Sequence, residues 1–307
     1  MGALKGQNLR IYAVDLSGGQ QNAKYKVIGM ATNCVITLNT NTEDAATKDD
    51  AGMASKPTVN SKSWQVQVDS LNVSDVATML NAIKNSTVFI LKWDIADTTN
   101  NQTAEQDSLS RTGQAYLTDF TASFNDRENS VKNLQFTGIS AITHDSTTDS
   151  ATIAAGSYTK GQSVRLYLGS DNTATPSKVI GAAKQLQLHV SVQMENSSTK
   201  DTTGDWEVQE PVGISYDITS NALVRSGETI DSAVQAQGLN DLETIYDSGS
   251  PVKWLIANVS GDNNRTKGSV ICSGSAIISQ LQINAAVKQN ATYQANLTGY
   301  GEMTVSA

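Results

Sequence analysis

Three consecutive residues, Thr47-Lys48-Asp49, occur again as Thr199-Lys200-Asp201, a distance of 152 positions from Lys48 to Lys200. The match does not stand alone. At the same spacing Cys34, Ile36 and Leu38 correspond to Leu186, Leu188 and Val190, and Glu43 corresponds to Glu195. Ser63-Trp64-Gln65-Val66 corresponds to Ser215-Tyr216-Asp217-Ile218. Both copies alternate apolar with polar residues, the period of a strand with one buried face. A long match at constant spacing reads as a duplicated unit. Whatever the chain does must follow from its having two such units.

The repeat extends in both directions. Arg10-Ile11-Tyr12 returns as Arg165-Leu166-Tyr167, and Lys26-Val27-Ile28-Gly29 returns as Lys178-Val179-Ile180-Gly181. The spacing falls from 155 to 152 between these two matches, so the second copy lacks three residues of the polar loop around residues 18–23, where a deletion is tolerated. Extra residues 227–237 then raise the spacing to 161, at which Lys92-Trp93 matches Lys253-Trp254. Ala115, Leu117, Phe120 and Ala122 match Ala276, Ile278, Leu281 and Ile283, and Phe136-Thr137-Gly138 matches Leu297-Thr298-Gly299. Residues 74–84 carry a helical stripe (Val76, Met79, Leu80, Ile83) with Ser74 as its expected N-cap. Leu239, Leu242, Ile245 and Tyr246 form a related stretch. In each copy a polar excursion, residues 40–62 and 193–213, separates two strand-like runs. It far exceeds the roughly 2–5 residues of an ordinary hairpin loop. Residues 144–161, rich in Ser, Thr, Ala and Asp, read as a linker. The expectation is a mainly β chain of two tandem homologous β-sandwich or small-barrel domains, residues 1–145 and 162–307, joined by a linker at 146–161. Each domain has seven or eight strands, one helix and one long polar loop.

Composition narrows the function. The chain has 307 residues, 38% apolar and 17% charged, enough for two domains. Its net charge is −8 and its pI about 4.8, which argues against holding nucleic acid by neutralising phosphates with Lys and Arg clusters. An acidic wall would instead repel phosphate. Cys34 and Cys272 are not repeat equivalents, so reduced thiols are expected, not a staple. No stretch is apolar and long enough for a signal peptide or a membrane span. His144 and His189 have no partners at metal-ligand spacing, and the chain has no nucleophile elbow and no Gly-rich phosphate loop. The acids Glu43-Asp44 and Asp49-Asp50 lack the order of a calcium loop, so a solvated hairpin tip or a partner-facing charge patch is expected. No catalytic role, cofactor or metal is expected. Trp93 and Trp254, and Trp64 with Tyr216, occupy matching positions, as core aromatics of one fold would. Trp206, in the second polar excursion, is either an anchor into a neighbour or a local packing residue.

The ordered set resembles the phage major tail tube proteins: an alternating strand (Cys34 to Leu38), a polar stretch with Thr47-Lys48-Asp49, an aromatic strand (Ser63 to Val68), a short helix and a closing strand ending in Thr137-Gly138. It does so once per copy, over nearly the whole chain. The second copy departs at Tyr216 and by the insertion after Arg225. The resemblance implies a structural virion protein that forms stacked rings around a channel through which DNA leaves the capsid. Three duplicated chains would make a ring of pseudo-sixfold symmetry, with the sheets of neighbours continuing into one barrel. The long loops would reach the adjacent ring, giving Glu43, Asp44, Lys48, Asp49, Asp50, Lys56, Glu195, Lys200, Asp201 and Trp206 as expected inter-ring contacts. The implied partners are further copies of the chain and the tape measure, tail terminator and tail tip proteins, with DNA passing unbound and no membrane involved. Assembly in the cytoplasm of a bacterial host is expected. The reading of a different class is a two-domain β-sandwich adhesin or virion decoration protein.

Overall fold

The computed structural model describes residues 6, 9–15, 26–49, 55–71, 75–96, 104–105, 110–144, 159–202, 204–224, 229–231, 234–260 and 266–306. The polar loop at 18–23, Asp50, Ser74 and most of the expected linker, 145–158, lie outside the described residues.

In the first half the elements are β1 (Leu9–Asp15), β2 (Lys26–Val27), β3 (Ala31–Asp44), β4 (Pro57–Ser70), α1 (Val76–Lys84), β5 (Val88–Ala96), β6 (Ala104–Glu105), β7 (Arg111–Asn125), β8 (Val131–Gly138) and β9 (Thr143–His144). The second half carries β10 (Val164–Leu168), β11 (Lys178–Ile180), β12 (Ala183–Asn196), β13 (Gln209–Leu223), β14 (Thr229–Asp231), β15 (Val234–Gln237), α2 (Leu239–Ser248), β16 (Val252–Ser260), β17 (Thr266–Asn284) and β18 (Thr292–Val305). Eight of these strands form one continuous antiparallel run in the order β3-β4-β8-β7-β12-β13-β18-β17.

A second layer covers the apolar face of that run. β1 pairs along β5, and β5 pairs with the start of β7; β10, β16 and β17 do the same in the second half. Side chains from the two layers meet directly. The Trp93 ring of β5 lies 5.8 Å from Trp64 of β4, Phe89 lies 5.5 Å edge-on from Phe136 of β8, and Trp254 of β16 lies 5.6 Å from Tyr216 of β13. Such offset pairs contribute beyond their buried area. The helices add Val76, Leu80, Ala82 and Ile83 from α1, and Leu242 and Ile245 from α2.

The two halves share one pairing scheme. Ala31↔Ser70 through Asp44↔Pro57 recurs 152 positions on as Ala183↔Ala222 through Asn196↔Gln209, with register shifts at matching places. Ala115↔Gly138 through Ser123↔Val131 recurs 161 positions on as Ala276↔Gly299 through Asn284↔Thr292, and the bulge between Leu117 and Asp119 recurs between Ile278 and Gln280. One segment corrects the sequence match. Leu91 lies opposite Gly113, whereas Trp254 lies opposite Gly274. In pairing register β16 therefore follows β5 at 163 positions, not 161. A slip of two keeps every side chain on its own face, so Trp93 and Trp254 still reach the matching aromatics. Part of the insertion at 227–237 forms β14 and β15, and β15 runs parallel to β11.

α1 is preceded by Asp75, which makes no capping bond. Its carboxylate instead receives the ammonium of Lys132, a side chain only 1% exposed. Burial pushes the Lys132 pKa down, against the opposing pull of Asp75.

Each half rests one aromatic ring on two glycines. A methyl group at Gly138 would sit 2.1 Å from Trp64 Cε2, and one at Gly113 would sit 2.6 Å from Trp64 Cζ2. At Gly299 it would sit 2.7 Å from the Tyr216 ring, and at Gly274 2.9 Å from the Tyr216 hydroxyl. Hydrogen bonds fix the two rings: Trp64 Nε1 donates to the Ser140 carbonyl at 2.8 Å, and the Tyr216 hydroxyl donates to the Ser275 carbonyl at 2.6 Å. Gly138→Ala is therefore expected to cost about 1–3 kcal/mol through overpacking, and Gly299→Ala to act in the same direction. Urea titration tests this: the midpoint falls while the slope is unchanged.

Candidate assembly edges and the polar face

Strand alternation gives the eight-stranded run two unlike faces. Trp64, Val66, Val68, Leu134, Phe136, Leu117, Phe120, Leu188, Val190 and Ile218 are buried beneath the second layer. The opposite face carries Gln65, Gln67, Asn133, Gln135, Thr121, Gln187, Thr219, Asn296 and Gln282. Its carboxylates are Asp69, Asp119 and Asp217, and His189 and Tyr116 are its other titratable side chains. Over the β-paired spans 33–39, 63–69, 116–125, 133–137, 185–191, 215–221, 277–284 and 294–298, no Lys or Arg falls on this face.

These polar side chains engage one another across strands. Asn221 Nδ2 donates to Gln185 Oε1 at 2.9 Å and Asn296 Nδ2 to Gln280 Oε1 at 2.7 Å, while along β18 Gln294 Nε2 donates to Asn296 Oδ1 at 2.9 Å. Asp69 accepts from Asn33 and from Asn133. His189 Nε2 lies 2.8 Å from Asp119 Oδ2. Cross-strand pairs of this kind are the unit of sheet stabilisation. Apart from Val35 and Ile277 the face is mostly hydroxyl and amide with a few carboxylates, and over these spans it offers phosphate no Lys or Arg.

The His189–Asp119 contact lies where the two halves meet. There β7 pairs with β12, from Asn125↔Gln185 to Asp119↔Ser191. On the core side of this seam Phe120, Ala122, Phe124, Leu186, Leu188 and Val190 are all buried. The two ends of the run are different. Among the described residues β3 pairs only with β4, and the segment of β17 from Ile278 to Asn284 pairs only with β18. Leu38 on β3 is 63% exposed and Ile283 on β17 is 51% exposed, whereas their counterparts at the seam, Val190 and Ala122, are both 0% exposed. A long sheet edge with open backbone groups and apolar side chains is a template for pairing with another chain.

The expected inter-ring residues sit at the far ends of two long hairpins. Glu43 is exposed near the end of β3, and the Asp44 carboxylate accepts the N–H groups of Ala46 and Lys56, both at 3.0 Å, closing the base of the first loop. Lys48 and Asp49 are exposed in a turn. Glu195 is exposed opposite Glu210, and Lys200 and Asp201 are exposed in the second turn. Trp206 is apart from them. It is half-buried against the chain's own core and bridges to Lys62. The Lys62 N–H donates to the Asp205 carbonyl at 2.6 Å, the Glu207 N–H to the Lys62 carbonyl at 3.0 Å, and Lys62 Nζ lies 3.0 Å from Asp205 Oδ2. Glu207 Oε1 accepts from Ser61 Oγ at 2.7 Å and Asn41 Nδ2 at 3.2 Å. The second loop is thus strapped onto the first hairpin, a joint that no sequence spacing announces. Among the described residues no group of three His, Cys, Asp or Glu gathers. Cys34 and Cys272 carry free thiols, and burial raises the pKa of both.

No protein-family model and no curated protein matches this sequence. Solved structures that it resembles include the tail of an empty GTA particle refined with C6 symmetry, at TM-score 0.36 and 11% identity, covering 48% of this chain and 99% of that one. The SPP1 tail tube gives 0.35 and 15%, with 48% and 78% covered. The virion of a native gene transfer agent particle gives 0.33 and 14%, with 48% and 99% covered.

Trp206 is expected to hold the strap more firmly than its ion pair. The Lys62–Asp205 pair is partly solvated, so Lys62→Ala costs under about 0.5 kcal/mol. Trp206→Ala costs about 1–3 kcal/mol through lost apolar burial and speeds limited proteolysis between residues 197 and 208.

Proposed function

We propose that this chain is a tandemly duplicated structural protein of a phage tail. It polymerises edge to edge into rings that stack as a tube around a channel for DNA. The observation that carries the reading is the pair of open margins, β3 and β17, whose exposed apolar residues have buried counterparts in the chain's own β7–β12 seam. The repeat supplies the unit: residues 1–145 and 162–307 are equivalent staves, and 146–161 links them. Three chains close a ring of six such staves, because each chain brings two. The polar face, without Lys or Arg, lines the channel. It lets DNA pass without gripping it, since binding requires neutralised phosphates. The loop residues Glu43, Asp44, Lys48, Asp49, Asp50, Lys56, Glu195, Lys200 and Asp201 contact the next ring, with Trp206 bracing the second loop from beneath. Tape measure, terminator and tip proteins then start, size and cap the tube. Its place is the virion, and its work is structural, not enzymatic.

Negative-stain microscopy of the concentrated full-length protein tests this. Rings or hollow tubes are expected, and lone two-lobed particles at every concentration would sink the proposal and favour an adhesin or decoration protein. Removing residues 44–56 is expected to leave soluble protein that forms rings without extending into tubes.

A further inference from the structure

We infer the register of the contact between copies: β17 of one copy lies antiparallel to β3 of the next, with Ala285 opposite Cys34, Ile283 opposite Ile36, Gln282 opposite Thr37, Leu281 opposite Leu38 and Gln280 opposite Asn39. The inference rests on the ring reading and adds to it which residues meet.

The chain's own seam is the template. There Phe124 lies opposite Leu186, Ala122 opposite Leu188, Thr121 opposite His189, Phe120 opposite Val190 and Asp119 opposite Ser191. The pairing scheme carries β7 onto β17 at 161 positions and β12 onto β3 at 152, bulges included. Applying both shifts gives the register stated. Every pair on the core side is then apolar. Volume shifts along the joint: Phe124 with Leu186 shrinks to Ala285 with Cys34, while Ala122 with Leu188 grows to Ile283 with Ile36. A slip of one residue would send Ile283 and Ile36 to opposite faces.

A second observation agrees. Within the chain, Lys84 of α1 reaches Glu302 of β18 at 3.8 Å, across the two halves. Leu80 and Ile83 of α1 correspond by burial to Leu242 and Ile245 of α2, which puts Tyr246 in the place of Lys84. Ala141 stands in the place of Glu302 at the 161 spacing. Both members of the ion pair are thus replaced by side chains suited to an apolar contact, and Tyr246 is 48% exposed in the single chain. On the polar face, likewise, the positions of His189 and Asp119 fall to Thr37 and Gln280. The joint between copies therefore lacks charged side chains at both places, where the joint within the chain carries the Lys84–Glu302 ion pair and the His189–Asp119 contact.

Cysteine cross-linking tests the register, using native Cys34 and leaving Cys272, which is wholly buried, in place. Assemblies of Ala285→Cys are first confirmed by microscopy, then treated with a mild oxidant and run on a non-reducing gel. Most of the monomer band is expected to move into a covalent ladder, and Cys34→Ser in the same chain abolishes it. Opposed residues in a sheet are within reach of a disulfide. Thr37→Cys with Gln282→Cys, in a Cys34→Ser chain, reports the same register from the polar face and is expected to give the same ladder. Rings that cross-link from Ile283→Cys or Val287→Cys but not from Ala285→Cys would overturn the register and leave the ring standing. Rings that cross-link from none of these would overturn the β17–β3 contact. Absence of any assembly would overturn the ring itself.

Discussion

The structure turns on one backbone requirement: the N–H and C=O groups along a strand must find partners, and a sheet of eight strands has two margins where they do not. At the middle of the run the chain meets this requirement internally, where β7 receives β12 and six apolar side chains close over the join. At the outer margins, among the described residues, the same geometry recurs without a partner strand, and Val190 and Ala122, buried at the join, have the exposed counterparts Leu38 and Ile283. The chain therefore contains one internal joint and, among the described residues, two margins that match its two sides.

The pairing scheme shared by the two halves is kept by rigid pieces. Trp64 and Tyr216 each lie over a pair of glycines that leave no room for a methyl group, and each ring is tied by one hydrogen bond to a backbone carbonyl. A ring so confined sets the spacing between the two layers, and the layer above follows it. This is why β16 can slide two residues relative to β5 and still deliver Trp254 to Tyr216. The aromatic contact specifies a face and a depth, and a two-residue slip alters neither.

Much of this was legible in the sequence. Alternation at Cys34, Ile36 and Leu38 predicts a strand, and the matched spacings predict which strands are equivalent, because both signals are local or self-referential. The true spacing of β16 was not legible: the Lys-Trp match at 92–93 and 253–254 is sound as sequence but two residues out of step with the hydrogen bonds. Nor was the strap of Lys62 by Asp205 and Trp206, since contacts between distant segments leave no periodic trace. Sequence placed the charged loop residues at hairpin tips and left Trp206 open between two roles; in the structure its ring is half-buried against the chain's own core. Asp75 precedes α1, but Lys132 holds its carboxylate, a competition that helix-capping rules do not foresee.

The polar face has a bearing on motion. Asn, Gln and Ser side chains that are already donating and accepting among themselves, within and between strands, have fewer free hydrogen-bonding groups to offer anything sliding past. With no Lys or Arg over the paired spans of the same surface to catch a phosphate, each passing group would meet a shallow energy profile with few wells. Such a wall would impose little drag wherever its polar groups pair with one another in this way.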